Sequence, residues 1–242
     1  MHLQIAINMS KDNLITTSLG DIVANDFRAA TIFKKAGIDF CCGGKQSLSQ
    51  ACDDKAVDVM SLVNELQKLD DSYQNPSQNF KDWAPAFLCD YIQNIHHTYV
   101  RSTLPELVFY TQKIATVHGS HHPELIEVAS LFAEVNKELI QHMQKEEEIV
   151  FPGIRAFYLT GSAQAKETLK QELPALMLEH ESAGGAMDNI NLITRNYKVP
   201  ADGCNTYHVT FKMLEQFEDD LHIHVHLENN ILLKNLFEAF IK

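Results

Sequence analysis

From Phe80 onward the chain keeps a helical period and shows almost no strand signal, and this limits the possible folds more than any other feature. Three interruptions break the stretch: Gly119–Ser120, Gly161–Ser162 and the segment Pro200 to Gly203. Asp82 followed by Pro85 opens the first helix, and Pro123 opens the second, which runs to about Pro152 or slightly beyond. The third runs from about Ala163 to Asn196 and the fourth from about Cys204 to Phe240. Four long helices joined by short connections predict an antiparallel bundle over residues 80–242. Pro105 and Pro174 lie inside helices, where a missing N–H and a ring clash predict kinks.

Residues 18–70 read as a small helical unit ahead of the bundle. Ser18 caps a helix through Asp21 and Phe27 to Ala36, and Gly37 stops it. Ser47 opens another helix, and a last one runs from about Val57 to Leu69. Residues 1–17 form an extension, and the polar residues 71–79, with Pro76, form a linker. The expected class is therefore all-α. At 242 residues, 45% of them hydrophobic, the chain can bury a sizeable core in one or two domains.

The charge balance, 20 basic against 32 acidic side chains, gives a net of -12, which argues against nucleic acid or an anionic membrane as partner. No apolar run approaches the roughly 18 residues that a membrane span needs. Met1 to Ser18 lacks the basic start and continuous apolar stretch of a secretory signal, so a cytoplasmic address is expected. The five cysteines, Cys41, Cys42, Cys52, Cys89 and Cys204, are odd in number and contain no CxxC pair. They make neither a disulfide framework nor a zinc ribbon.

The polar residues that matter sit where apolar ones belong. Glu146 follows His142 by four positions and lies only about 40° from it around the helix, in the stripe of Val128, Val135, Leu139 and Ile149. Glu147 and Glu148 rotate to the solvated side. His224 and Glu228 repeat the arrangement on the fourth helix, beside Phe217, Leu221, Ile231 and Leu232. His222 and His226 share the opposite face with Glu215, Glu218 and Asn229, and read as solvent-facing. A carboxylate on an apolar stripe costs several kcal/mol unless it is paired. One His–Glu pair could be a hydrogen bond, whereas two pairs on two helices call for a shared explanation, and a metal ion supplies it. Two hard carboxylates with several imidazoles suit iron, although ligand type leaves zinc and manganese open. His180 on the third helix and His96 or His97 on the first offer further ligands, and periodicity leans slightly to His96.

Several blocks together resemble one family, the repair-of-iron-centres proteins, also called iron–sulfur cluster repair proteins. They are Asp39-Phe40-Cys41-Cys42-Gly43-Gly44-Lys45, then His96 to Arg101 leading into Leu104-Pro105-Glu106-Leu107, and His142 to Pro152. Glu179-His180-Glu181 with Gly184, and His224 to Asn230, complete the set, which spans about Ser18 to Phe237. The resemblance implies a hemerythrin-like bundle behind a small N-terminal domain, and a centre of two non-haem iron ions with an oxo or hydroxo bridge. Its ligand set carries onto His97, His142, Glu146, His180, His224 and Glu228. The family register chooses His97 because its ligand stands seven positions before the Leu of the Leu-Pro pair, here Leu104. His118 matches a family position and is expected near a ligand. The sequence departs from the family at its first 17 residues and at Leu232-Leu233-Lys234, where the family has Leu-Phe-Pro.

Gly43, Gly44 and Lys45 beside Cys41 and Cys42 predict an accessible turn whose N–H groups and lysine lower a thiol pKa. Cys41 or Cys42 would then serve as a redox or iron-relay thiol, whereas Cys52, Cys89 and Cys204 read as buried or incidental. The resemblance implies repair of iron–sulfur clusters damaged by nitrosative or oxidative stress, with damaged iron–sulfur proteins as clients and nitric oxide or oxygen as small ligand. Iron donation and nitric oxide reduction are both implied, so enzymatic activity stays open, and a homodimer is implied as well. The alternative is a reversible oxygen or nitric oxide binder or sensor. A carrier of that kind has more histidines and fewer carboxylates, and gives the Cys-Cys-Gly-Gly turn no role.

Overall fold

The structure, a computed structural model, describes residues 11–69 and 78–241. They are predominantly helical, with one isolated antiparallel bridge between Ser18 and Ser47. Residues 1–10 of the expected extension and 70–77 of the expected linker lie outside the described residues. Two compact units emerge, one made of the described residues up to Ala84 together with Val225 onward, the other of Pro85–His224.

The first unit opens with five short helices, α1 (Lys11–Thr16), α2 (Leu19–Asn25), α3 (Ala29–Lys35), α4 (Leu48–Lys55) and α5 (Val59–Leu66). Local chemistry sets their ends. Ser18 caps α2 by accepting from the Asp21 N–H, Ser47 and Gln50 close a reciprocal capping box on α4, and Asp58 caps α5. The single helix expected from Ser18 to Ala36 is two helices. Asp26 leaves the helix at φ -143°, and its carboxylate accepts from the Arg28 backbone and guanidinium, which rewards the break. Leu14, Leu19, Val23, Phe33, Leu48 and Val63 are fully buried in one core.

The second unit carries the long helices. α6 (Pro85–Tyr91) passes through a π-helical turn, Ile92–His97, into α7 (Thr98–His118). α8 (Glu124–Lys145) passes through a second π turn, Glu146–Val150, into α9 (Phe151–Thr160). α10 spans Ala163–Ile193 and α11 spans Asn205–His226; from Val225 the chain belongs to the first unit, which holds a third π turn, Leu227–Leu232, and α12 (Leu233–Ile241). Gly161, at φ 66°, closes α9 in the left-handed region that favours glycine. Neither proline ends its helix: α7 runs through Pro105 and α10 through Pro174. The π turns hold three of the candidate ligands, His97, Glu146 and Glu228.

Candidate metal centre

Every expected ligand is buried: His97, His142, Glu146, His180, His224 and Glu228 are each 3% exposed or less. In the second unit, Nε2 of His97 and Nε2 of His142 each stand 3.3 Å from Oε2 of Glu146. One carboxylate from the second long helix thus faces imidazoles from two helices. His180, on α10, brings its Nε2 to 3.0 Å from that of His142. The His224 ring lies 5.0 Å from the His97 ring. Donor atoms of His97, Glu146 and His224 fall within 4.8 Å of one another, as do those of His142, Glu146 and His180. Glu228 follows His224 by four positions, in the π turn that continues α11.

A protonation argument shows what this arrangement lacks. Nδ1 of His97 stands 2.7 Å from Glu147 Oε1, and Nδ1 of His142 stands 2.9 Å from Glu179 Oε2. Hydrogen bonds to His142 and Lys145 hold the Glu179 carboxyl down at about 2, against the effect of burial. Burial would raise the Glu147 carboxyl, but hydrogen bonds from Arg101 and His97 outweigh it and hold the group below its usual range. Both acids are therefore carboxylates and must accept, which puts each ring proton on Nδ1 and leaves the Nε2 lone pair facing inward. Those lone pairs meet a carboxylate and another imidazole, and neither oxygen of Glu146 receives a hydrogen bond among the described residues. An arrangement of inward lone pairs and a fully buried carboxylate without donors costs several kcal/mol by itself. A cation at the convergence of these groups removes the cost, so the donor set fits the metal that the sequence implied.

The structure separates the two candidates on the first helix. His97 faces Glu146, whereas His96 turns its Nδ1 to Asp220 at 3.0 Å and stacks on His224. The π turn Ile92–His97 explains why periodicity leaned the other way. It adds about one residue to the turn, and so slips the face by about 100° relative to an α-helix.

Other expectations change as well. Glu147 is not a solvated surface acid but the partner of His97 and Arg101. Glu179, not singled out in the sequence, holds His142. Neither partner shows in the periodicity of one helix, because each contact joins two helices. His118 ends α7, 21 residues past His97, which is about 30 Å along the helix, so it stands far from the ligands rather than beside them. Its partner is Cys204, which is exposed rather than buried. Glu218 and His226 are buried rather than on a polar face. Glu218 accepts from the Asn191 amide. His226, in the first unit, packs edge-on against Phe40 and near Asn230, and burial pushes its imidazole down to about 4.

The cysteine turn, also in the first unit, is corrected in its electrostatics. Asp39 takes the backbone N–H groups of Cys41, Cys42 and Gly43 at 2.8, 3.1 and 2.8 Å, the same groups expected to stabilise a thiolate. Its Oδ1 also accepts from the Cys41 thiol at 2.9 Å. The hydrogen bond with Cys42, burial and the Asp39 charge push the Cys41 thiol well above its usual range, so it is a protonated donor. The two sulfurs stand 4.0 Å apart, about twice a disulfide length. The Asn230 amide donates to the carbonyls of Cys41 and Phe40 at 2.9 and 3.2 Å and so fixes the turn. Gly44 is needed there because a Cβ would come 2.4 Å from the Asn230 side-chain oxygen.

Two family models match the chain. Residues 90–236 match the hemerythrin HHE cation binding domain, and residues 15–70 match a domain of unknown function, DUF542. The chain is thus an all-α protein with a hemerythrin-type cation-binding bundle and a small helical N-terminal domain. It is 33% identical over 219 residues to the iron-sulfur cluster repair protein ScdA of Staphylococcus epidermidis, covering 90% of this chain and 96% of the relative. It is 34% identical over 218 residues to the iron-sulfur cluster repair protein YtfE of Musicola paradisiaca, covering 89% and 93%. It belongs to the family of iron–sulfur cluster repair proteins.

Proposed function

We propose that this protein repairs iron–sulfur clusters damaged by nitrosative or oxidative stress, with two non-haem iron ions in its bundle. The observation that carries the reading is the buried Glu146 carboxylate, without hydrogen-bond donors among the described residues and 3.3 Å from Nε2 of both His97 and His142. Glu146, Glu228, His97, His142, His180 and His224 would hold the ions. Glu147 and Glu179 orient two of these imidazoles and make them stronger donors by accepting their Nδ1 protons. Glu146 and Glu228 are buried, so bulk water does not reach their carboxylates. When bound, the two irons would supply positions for nitric oxide or oxygen and a labile ion for a damaged cluster.

The clients are damaged iron–sulfur proteins, and a homodimer and a cytoplasmic address belong to the same reading, on the family's likeness. No helix among the described residues is long and apolar enough to cross a membrane. A relay role for Cys41 would require Asp39 and Asn230 to release the turn first, and Cys42, which is half-buried, is the more accessible of the two.

The test is the metal content and Mössbauer spectrum of protein purified without added iron, beside Glu146→Leu and Glu228→Leu. About two irons per chain with a coupled diferric signal, absent from both variants, is the expected result. Iron absent from the parent protein, or untouched by both substitutions, overturns the assignment.

A further inference from the structure

A second reactive cluster lies at the other end of the bundle and takes no part in the proposed metal chemistry. Cys204 stands directly ahead of α11, and its sulfur is 3.2 Å from Nε2 of His118 at the end of α7. Two elements distant in sequence thus place an imidazole on a thiol that is exposed, whereas Cys41, Cys52 and Cys89 are buried and Cys42 is half-buried. The backbone N–H groups of Tyr207 and Thr206, in the first turn of α11, also favour the thiolate. The surroundings hold the imidazole in place. The His118 ring meets the Tyr207 ring edge to face at 5.4 Å, and His122 is held beside it by Asp202 and Glu124. Hydrogen bonds to Asp202 and Glu124 raise the His122 imidazole, and no lysine or arginine bonds the cluster among the described residues.

We infer that Cys204 is a site of reversible S-thiolation, in which His118 takes the thiol proton and a low-molecular-weight disulfide supplies the second sulfur. The Cys204 sulfur attacks one sulfur of the disulfide, the S–S bond of that molecule breaks, and a new S–S bond forms to Cys204. The departing thiolate takes the proton from the His118 imidazolium and leaves as a thiol. The small disulfide is the oxidant and is reduced at one sulfur, so electrons and atoms balance. The hydrogen bond from His118, with those of the Tyr207 and Thr206 backbone, brings the thiol down to about 7. Near pH 7 the thiolate fraction is then about fifteenfold that of an ordinary thiol, and lower intrinsic nucleophilicity offsets about fivefold of it. The net gain is about threefold in rate, with the thiolate population already near half at neutral pH.

The experiment uses the full chain with whatever metal it carries. Oxidised glutathione is the thiolating probe, and peptide-resolved mass spectrometry follows both its adduct and iodoacetamide labelling from pH 5.5 to 9.5. The expected result is a glutathione adduct on the Cys204 peptide, released by a reducing thiol, with labelling that rises around pH 7. In His118→Asn the inflection moves up by more than one pH unit. A parent inflection above pH 8.5, or no adduct on Cys204 while iodoacetamide labels it, overturns the inference. The parent profile alone decides if His118→Asn does not fold, and an unshifted inflection in a folded His118→Asn also overturns it.

Discussion

At the scale of single residues, the site is defined by what its polar groups lack. Glu146 is 0% exposed and has no hydrogen-bond donor among the described residues, so in the metal-free protein it is a burden and in the metal-bound protein a ligand. Glu146→Leu should therefore change sign with metal. It is expected to stabilise the metal-free chain by about 1–4 kcal/mol in urea unfolding, because replacing a buried ion by a hydrophobe removes its desolvation cost. The same change should abolish the stabilisation that added metal gives the parent. A metal-free variant less stable than its parent would mean that Glu146 has a partner of another kind. Glu179→Gln tests the supporting contact to His142. It should weaken metal binding about 10–100-fold in a competition titration, with the bundle still folded. The same acid gives a pH dependence. Its carboxyl lies at about 2 in the folded chain, below the usual 4.5, so its contribution is complete above about 4.5 and lost as pH falls towards 2. Metal-free parent protein should lose more stability over that window than Glu179→Gln does. Equal losses in the two would show that the His142 and Lys145 contacts carry no net energy.

At the scale of elements, much was legible in the chain and the remainder fails for identifiable reasons. Ser47, Asp58 and Gly161 punctuate the helices as their chemistry dictates, and His142 and Glu146 share a face because an unbroken α-helix connects them. Asp26 was missed because a side chain bonding its neighbour Arg28 outcompetes the helix there. The choice between His96 and His97 was hidden because a fixed 100° step cannot represent a π turn. Asp39 bonds the turn two to four residues ahead of it, a local contact that spacing alone did not single out, whereas Glu147 and Glu179 were hidden because their partners become neighbours only on folding. His226 was misplaced for the same reason: residues far away in sequence cover its face. Pro105 offers a test at this scale. It lies exposed within the uninterrupted α7, where it supplies no N–H and clashes with the turn before it. Pro105→Ala should stabilise the protein by about 1–3 kcal/mol in chemical unfolding. A loss of stability would assign the proline a role that the helix does not reveal.

At the scale of the whole molecule, the first unit is built from both ends of the chain. The Asn230 amide on Cys41 and Phe40, the His226 ring on Phe40 and the ion pair of Lys234 with Asp21 are all contacts inside that unit. Asn230→Ala should free the cysteine turn, so that Cys41, buried and protonated in the parent, alkylates several-fold faster. Peptide-resolved labelling at pH 7.5 reads this directly, and an unchanged rate would mean that Asp39 alone holds the turn.

That composite origin also sets a timetable for biosynthesis. The amino-terminal helices leave the ribosome first, yet the residues that complete their unit begin only at Val225. At about 5–20 residues per second, translating residues 85–224 takes roughly 7–30 s. Through that interval the nascent segment around Cys41 waits with its turn unsecured, and it is then most open to chaperones, proteases and thiol-modifying molecules.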